Sequence, residues 1–239
     1  MLDHFLDMLF PQETCCICRK PGKYCSRQPW CEECLRRMIE LQCSGTTCER
    51  CGKYLQPGSE QCADCRQNPP EFEIARAVGP YEEQYRIATK VLKFMGKKYL
   101  APQMGAMMAA KIRSEPKFGK LDLIVPVPIS ANSMQVRGFN QTELLAKQIG
   151  KELGIKVEYG AIVRVKDTPH QTELSREERE KNLLSAFAVK PNIDLAGKSV
   201  LLVDDVYTTG STGRECTRML LAAGAKRVCI ITWATGRGF

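Results

Sequence analysis

The chain has 239 residues, of which 44% are hydrophobic, and it carries a formal net charge of +8. Its length predicts one ordinary α/β domain with a small companion. No run of about 18 uninterrupted apolar residues occurs, which argues against a membrane span, and the start MLDHFLDMLF lacks the cationic region of a signal peptide. We therefore expect a cytoplasmic protein, and its moderate positive charge is compatible with nucleic acid or with small phosphate-bearing ligands.

Cysteines divide the chain, because eleven of the thirteen lie between Cys15 and Cys65. Eight of them form four CxxC pairs, Cys15/Cys18, Cys31/Cys34, Cys48/Cys51 and Cys62/Cys65. Two such turns supply the four thiolates of a tetrahedral zinc site, whereas structural disulfides are rare in a reducing compartment. We therefore predict two structural zinc ions.

The four pairs can share the two ions in sequence order or as a cross-brace. Pairing in sequence order closes loops of only 12 and 10 residues, so it is favoured over a cross-brace. The remaining cysteines of this segment, Cys16, Cys25 and Cys43, are expected to be spare thiols.

Residues 1–66 are predicted to form this zinc-binding module, with residues 67–71 as a linker and residues 72–239 as a second domain. The module has few large aliphatic residues, so we expect it to need metal in order to fold. It is basic and contains Tyr24, Trp30 and Tyr54, a composition that can bind single-stranded nucleic acid by stacking. A solvated basic face on a protein-docking finger is an equal alternative.

From Phe72 onward, segments with strand and helix patterns alternate. The predicted strands are 72–81, 121–129, 161–165, 200–203 and 227–235, and the predicted helices are 81–95, 101–114, 141–153 and 213–223. Methionines in the second helix are expected to be core residues. This alternation predicts an α/β fold with a mostly parallel sheet flanked by helices.

Two polar stretches interrupt this pattern. Residues 129–141 are predicted to be a polar loop that follows a buried strand. Residues 166–180 form a long charged loop, and loops of that length inside a compact domain are usually functional or mobile. Its candidates for closing over an anion are Lys166, His170, Gln171, Arg176 and Arg179, and a solvated surface loop is the competing interpretation.

The segment SVLLVDDVYTTGST, residues 199–212, places two acids and a hydroxyl-rich turn after an apolar strand and before a helix. Open α/β sheets bind ligands at this position, and helix N-termini favour phosphate. A P-loop ATPase is excluded because the chain has no GxxxxGK[ST] motif, and a dinucleotide fold is unlikely because no GxGxxG is present. Adjacent carboxylates can instead accept hydrogen bonds from the 2- and 3-hydroxyls of a ribose, while the turn offers hydroxyl and N–H groups to its 5-phosphate.

These residues resemble the phosphoribosyl pyrophosphate loop of type I phosphoribosyltransferases. Together with VPVPIS, RGFNQTELLAKQIG and TPHQTELSREEREKNLLSAF, behind paired CxxC turns, they resemble the ComF competence family over nearly the whole chain. The resemblance implies a zinc-finger module joined to a phosphoribosyltransferase domain, and a cytoplasmic role in DNA uptake and natural transformation.

The resemblance also implies roles for individual residues. Asp204 and Asp205 would hold the ribose hydroxyls, and Arg137 would face the pyrophosphate with Mg²⁺. The loop that binds the donor would consist of Val206, Tyr207, Thr208, Thr209, Gly210, Ser211 and Thr212. Lys166, Arg176 and Arg179 would belong to a flap over the reacting centre. No acceptor is implied, and the alternative is a non-enzymatic adaptor that binds single-stranded DNA or a helicase-like competence partner, with a purely regulatory phosphoribosyl site.

Overall fold

A computed structural model describes residues 12–165 and 186–238. The strands are β1 Gln12–Thr14, β2 Pro21–Tyr24, β3 Ile74–Pro80, β4 Leu123–Pro126, β5 Ile162–Arg164, β6 Phe187–Val189, β7 Ser199–Tyr207 and β8 Arg227–Thr235. The α-helices are α1 Glu32–Gln42, α2 Ala63–Gln67, α3 Glu83–Phe94, α4 Ala101–Ser114, α5 Ala131–Arg137, α6 Gln141–Leu153 and α7 Ser211–Ala222. Within these residues no helix is both long and apolar enough to cross a bilayer.

The central sheet is parallel and has the order β3, β8, β7, β4. This confirms the predicted parallel sheet with flanking helices. The strand expected at 161–165 does not join it, since β5 pairs with β6 in a separate antiparallel ribbon. The free edge of β4 is instead paired with the segment just before β5, where the Ile124 N–H donates to the Lys156 carbonyl at 2.9 Å.

The polar stretch 129–141 was predicted to be a loop, and this prediction is wrong for its middle, which forms α5. Ser130 caps that helix, because its side chain accepts a hydrogen bond from the Ser133 N–H. Gly138 ends it in the left-handed conformation, with φ of 73°. The segment therefore presents a short helix beside the end of β4.

Side chains of β7 alternate between two cores, one on each face of the sheet. Leu201 and Val203 lie on the face that is covered by α3, α4 and α6, whereas Val200 and Leu202 lie on the face that is covered by α7. Met104 and Met108 of α4 are fully buried in the first core, as the sequence predicted. Both faces of the central strands are thus shielded from water, which fits their continuous apolar runs.

The cysteine-rich segment packs against both faces at the β3 side of the sheet. On the first face the rings of Trp30 and Trp233 lie 6.2 Å apart, and Tyr85 donates its hydroxyl hydrogen to the Met38 carbonyl. On the second face the Ala75 N–H of β3 donates to the Arg50 carbonyl at 2.8 Å. Residues 12–66 therefore share both cores with the rest of the chain, and the domain boundary at 67–71 stays a prediction.

Candidate functional site

The eight paired cysteines form two groups whose sulfur atoms lie within 4.8 Å of one another. We name Cys15, Cys18, Cys31 and Cys34 the first cysteine cluster, and Cys48, Cys51, Cys62 and Cys65 the second cysteine cluster. The sulfurs of Cys15 and Cys34 are 3.9 Å apart, and those of Cys51 and Cys62 are 3.6 Å apart. A tetrahedron with Zn–S distances of about 2.3 Å has edges of about 3.8 Å. Both groups therefore have the size of a ZnS₄ site, and the pairing is in sequence order, as predicted.

Backbone N–H groups support these sulfurs. The Cys31 N–H donates to the Cys15 sulfur at 3.3 Å, and the Cys62 N–H donates to the Cys48 sulfur at 3.4 Å. Such donors stabilise thiolates, which are the form that binds zinc. Four thiolates without an open position fit a structural zinc site. Cys16, Cys25 and Cys43 belong to neither group.

The aromatic side chains of the cysteine-rich segment do not form a stacking surface. Tyr24, Trp30 and Tyr54 are only 9%, 1% and 7% exposed: Tyr24 and Trp30 pack into the first core, and the Tyr54 hydroxyl donates to the Gln42 carbonyl. The prediction that these rings stack on bases is therefore wrong. Some of the positive charge is also neutralised, since Lys53 pairs with Asp64 at 2.8 Å and Arg37 pairs with Glu83.

A pocket of about 380 Å³ lies at the carboxyl ends of β4 and β7. It brings together the predicted residues Arg137, Asp204, Asp205, Val206, Tyr207, Thr208, Thr209, Gly210, Ser211 and Thr212. Further lining residues include Tyr81, Lys93, Ser130, Gln141 and Arg164. The remaining predicted residues, Lys166, His170, Gln171, Arg176 and Arg179, lie outside the described residues.

The acidic pair lies within β7, whereas the sequence pattern had placed it after the end of the strand. The ladder between β7 and β8 continues past the apolar run, with Asp204 opposite Thr232 and Val206 opposite Ala234. Helix α7 begins at Ser211, earlier than the predicted Gly213. Ser211, Thr212 and Gly213 of its first turn line the pocket, where N–H groups of a helix N-terminus can receive an anion.

The loop between β7 and α7 is held by short-range contacts. Gly210 precedes the helix with φ of 83°, a conformation that favours glycine. The hydroxyl groups of Thr209 and Ser211 lie 2.9 Å apart and are hydrogen-bonded. The loop thus presents hydroxyl and N–H groups together, which is the chemistry that a phosphate group requires.

Asp205 is 4% exposed and is held by two neighbours that the sequence did not assign to it. Lys93, near the end of α3, forms an ion pair with its carboxylate, and Gln141 donates from Nε2 to Oδ1 at 3.4 Å. Arg137 in turn donates to the Gln141 side-chain oxygen. Burial opposes the charge on Asp205, but Lys93 and these hydrogen bonds outweigh it and lower the pKa of Asp205 below its ordinary value.

Asp204 behaves in the opposite way. Its Oδ1 accepts a hydrogen bond from the Asp205 N–H at 2.8 Å. Burial, and after it the negative charge of Asp205, raises the pKa of Asp204 to about 8. The pair therefore holds a proton preferentially on Asp204 and negative charge on Asp205, so together they can both accept hydrogen bonds and donate one.

Tyr207 lines the pocket, but it is only 5% exposed. Its ring packs edge-on against Phe72, with a centroid distance of 6.2 Å and an interplanar angle of 87°. Burial, and after it the charge of the nearby Cys51 thiolate, raises the pKa of Tyr207 well above its usual value. The side chain therefore lies beneath the loop as a neutral ring.

Residues 104–238 match the family model of the phosphoribosyl transferase domain. Competence protein F of Haemophilus influenzae is 31% identical over 195 residues, which are 80% of this chain and 84% of that protein. DNA utilization protein YhgH of Salmonella typhimurium is 30% identical over 224 residues, which are 92% of this chain and 96% of that protein. The crystal structure of adenine phosphoribosyltransferase from Thermoanaerobacter pseudethanolicus matches with a TM-score of 0.38 and 14% identity, over 59% of this chain and 83% of that chain. The chain thus belongs to the ComF family of phosphoribosyltransferase-domain proteins, together with competence protein F and YhgH.

Proposed function

We propose that the protein binds phosphoribosyl pyrophosphate with Mg²⁺ and transfers the ribose 5-phosphate of this donor to an acceptor. We further propose that it acts in DNA uptake or DNA utilization, the processes after which its relatives are named. One observation carries this proposal. The acidic pair, the N-terminus of α7 and Arg137 line a single pocket, and these are the groups that a diol, a phosphate and a pyrophosphate respectively require.

The acidic pair is suited to the ribose. Asp205 stays ionised beside Lys93 and accepts hydrogen bonds from the ribose hydroxyls. Asp204 retains its proton to a higher pH than an ordinary carboxyl group, and in that form it can both donate and accept. This combination matches two neighbouring hydroxyl groups, each of which is itself a donor and an acceptor.

The phosphate-binding parts are separate from the acids. Thr208 to Thr212 receive the 5-phosphate on the first turn of α7. Arg137, with Ser130 at the start of α5, faces the pyrophosphate. When bound with the donor, Mg²⁺ would supply positive charge that stabilises the leaving pyrophosphate.

Chemistry at this site needs no covalent nucleophile from the protein. An acceptor nucleophile displaces pyrophosphate from the anomeric carbon through an oxocarbenium-like state. The protein contributes placement and cations on the leaving pyrophosphate, and we assign this cationic role to Lys166, Arg176 and Arg179, which lie outside the described residues. The acceptor stays unassigned.

Isothermal titration of phosphoribosyl pyrophosphate with Mg²⁺ tests the donor site. We expect wild type to bind, and the double variant Asp204→Asn/Asp205→Asn to bind at least about tenfold more weakly, since it loses hydrogen bonds that involve a charged group. Asp194→Asn is the matched control, because Asp194 is exposed and pairs with Lys198 away from the pocket. Equal affinity of the double variant and wild type would refute the assignment. If the donor binds as expected, a screen for pyrophosphate release across nucleobases, nucleic acids and small amines, with the double variant as control, identifies the acceptor.

A second candidate function is the non-enzymatic adaptor. It is favoured by the exposed cations Lys20, Lys23 and Arg27 on and beside β2, although the buried aromatic rings remove its stacking component. Single-stranded DNA held through phosphates must dissociate steeply as salt is raised. Absence of such binding by the full chain would favour a helicase-like protein partner for this surface.

A further inference from the structure

Tyr207 lies between the second cysteine cluster and the loop that precedes α7. The four cysteines of this cluster belong to the same buried core as Tyr207 and Phe72. Phe72 is completely buried and meets the Tyr207 ring edge-on. The side chain that supports the loop is therefore packed in the core that the second cluster completes.

The Tyr207 ring touches the backbone of the loop directly. A Cβ atom built on Gly210 would lie 2.2 Å from the Tyr207 hydroxyl oxygen and 2.5 Å from Cζ. A Cβ atom on Gly213 would lie 3.5 Å from Cε2 of the same ring. Because no gap separates ring from backbone, a displaced ring must displace the N-terminus of α7.

A second connection runs through the backbone after β8. The Gly236 N–H donates to the Tyr207 carbonyl at 2.9 Å, and the Gly238 N–H donates to the Tyr54 carbonyl at 2.9 Å. A Cβ atom on Gly238 would come within 2.9 Å of the Cys62 Cβ. This short segment therefore ties the end of β7 to the second cysteine cluster.

The first cysteine cluster provides a natural comparison. It belongs to the core on the opposite face of the sheet, where Trp30 packs on Trp233. The two clusters thus have the same ligand set but different neighbours.

We infer that Tyr207 is a positioning residue: the geometry that a metal imposes on the second cysteine cluster is transmitted through the Tyr207 ring and fixes the position of the phosphate-binding loop. Loss of zinc from this cluster then weakens binding of the donor's 5-phosphate, whereas loss of zinc from the first cluster does so much less. The inference rests on the proposed function, because it assumes that the loop binds this phosphate.

The test compares four variants of the full chain. Tyr207→Leu removes the ring, Tyr207→Phe keeps it, Cys62→Ser breaks the second cluster and Cys34→Ser is the matched change in the first. Zinc content per chain is measured for each, together with the affinity for ribose 5-phosphate and for phosphoribosyl pyrophosphate with Mg²⁺. We expect Tyr207→Leu and Cys62→Ser to bind both ligands about tenfold or more weakly, since losing a hydrogen bond to a charged phosphate reduces affinity by about that factor.

The controls separate positioning from general stability. Tyr207→Phe is expected to restore binding, and Cys34→Ser is expected to lose one zinc and retain most of the affinity. If Cys62→Ser fails to fold, Tyr207→Leu with both zinc ions bound decides the question. Wild-type affinity in Tyr207→Leu, or equal loss in Cys34→Ser and Cys62→Ser, would overturn the inference. Failure of wild type to bind either ligand would refute the proposed function itself, and the inference with it.

Discussion

Lys93 on α3 forms an ion pair with Asp205 on β7, with side chains that are 21% and 6% exposed. Lys93 lies before residues 104–238, which match the phosphoribosyl transferase family model. The pocket is therefore completed by a side chain from the segment between the cysteine-rich module and the matched region. This placement gives α3 a role at the site in addition to its packing.

Replacing Lys93 with methionine should weaken both the fold and the site. The change leaves the Asp205 carboxylate buried without its counter-charge, which costs about 3 kcal/mol in the free energy of unfolding when one partner of a buried pair is removed. Asp205 then takes up a proton more readily, so affinity for phosphoribosyl pyrophosphate falls. Urea denaturation and calorimetric titration of Lys93→Met measure the two effects.

Lys90→Met is the control for this prediction, since Lys90 is an exposed residue of the same helix. Its stability and its affinity are expected to match those of wild type. Tighter donor binding by Lys93→Met would contradict the expectation and would show that Lys93 competes with the ribose for Asp205.

Asp204→Asn should stabilise the fold at alkaline pH while it weakens donor binding. The pKa of Asp204 is about 8 in the folded chain, above the ordinary value of 3.8. Between these two values the folded state binds more protons than the unfolded state, so this group makes the wild type less stable as pH rises and has no further effect above about 8. Asparagine has no such charge, so the stability advantage of the variant should grow from pH 5 to pH 8.

Urea denaturation of wild type and Asp204→Asn across this pH range measures the difference. Asp194→Asn serves as the comparison, because Lys198 lowers the pKa of Asp194 and the residue does not titrate in this window. Parallel stability curves for Asp204→Asn and wild type would show that Asp204 is ionised throughout.

Metal removal should destabilise the whole chain and not only its first 66 residues. The chain has two tryptophans, and both are buried in the contact between the cysteine-rich segment and β8. Chelation should therefore shift tryptophan emission to the red and lower the thermal midpoint in a single transition, because both cores lose part of their packing. Two separate transitions, with the second at the midpoint of the zinc-loaded protein, would show that the module folds independently.

The sequence predicts best the features that depend on neighbouring residues. Continuous apolar runs identify β7 and β8 because both faces of these strands are buried. The CxxC spacing identifies both four-cysteine clusters, because two short turns are enough to gather four thiolates. The acidic pair and the hydroxyl-rich turn locate the pocket, since the ends of parallel strands gather at one edge of the sheet.

The features that the sequence missed depend on distant residues. Asp204 and Asp205 continue β7 because β8 supplies ladder partners that local polarity does not reveal. Lys93 is not among the site residues predicted from the sequence, because its partner on β7 is brought to it only by tertiary packing. Trp30 was predicted to stack on bases because it lies in a basic segment, but Trp233 of the last strand packs against its ring and buries it.

The position of β3 has a consequence for how the chain is made. In the described part of the chain β3 lies at the edge of the sheet and pairs with β8. Ribosomes deliver the N-terminal part first, so both cysteine clusters are complete long before the strand that β3 needs has been synthesised. The apolar faces on which these clusters pack are therefore assembled only once Arg227–Thr235 has emerged, and until then metal held by the clusters would be the main source of structure in the nascent N-terminal segment.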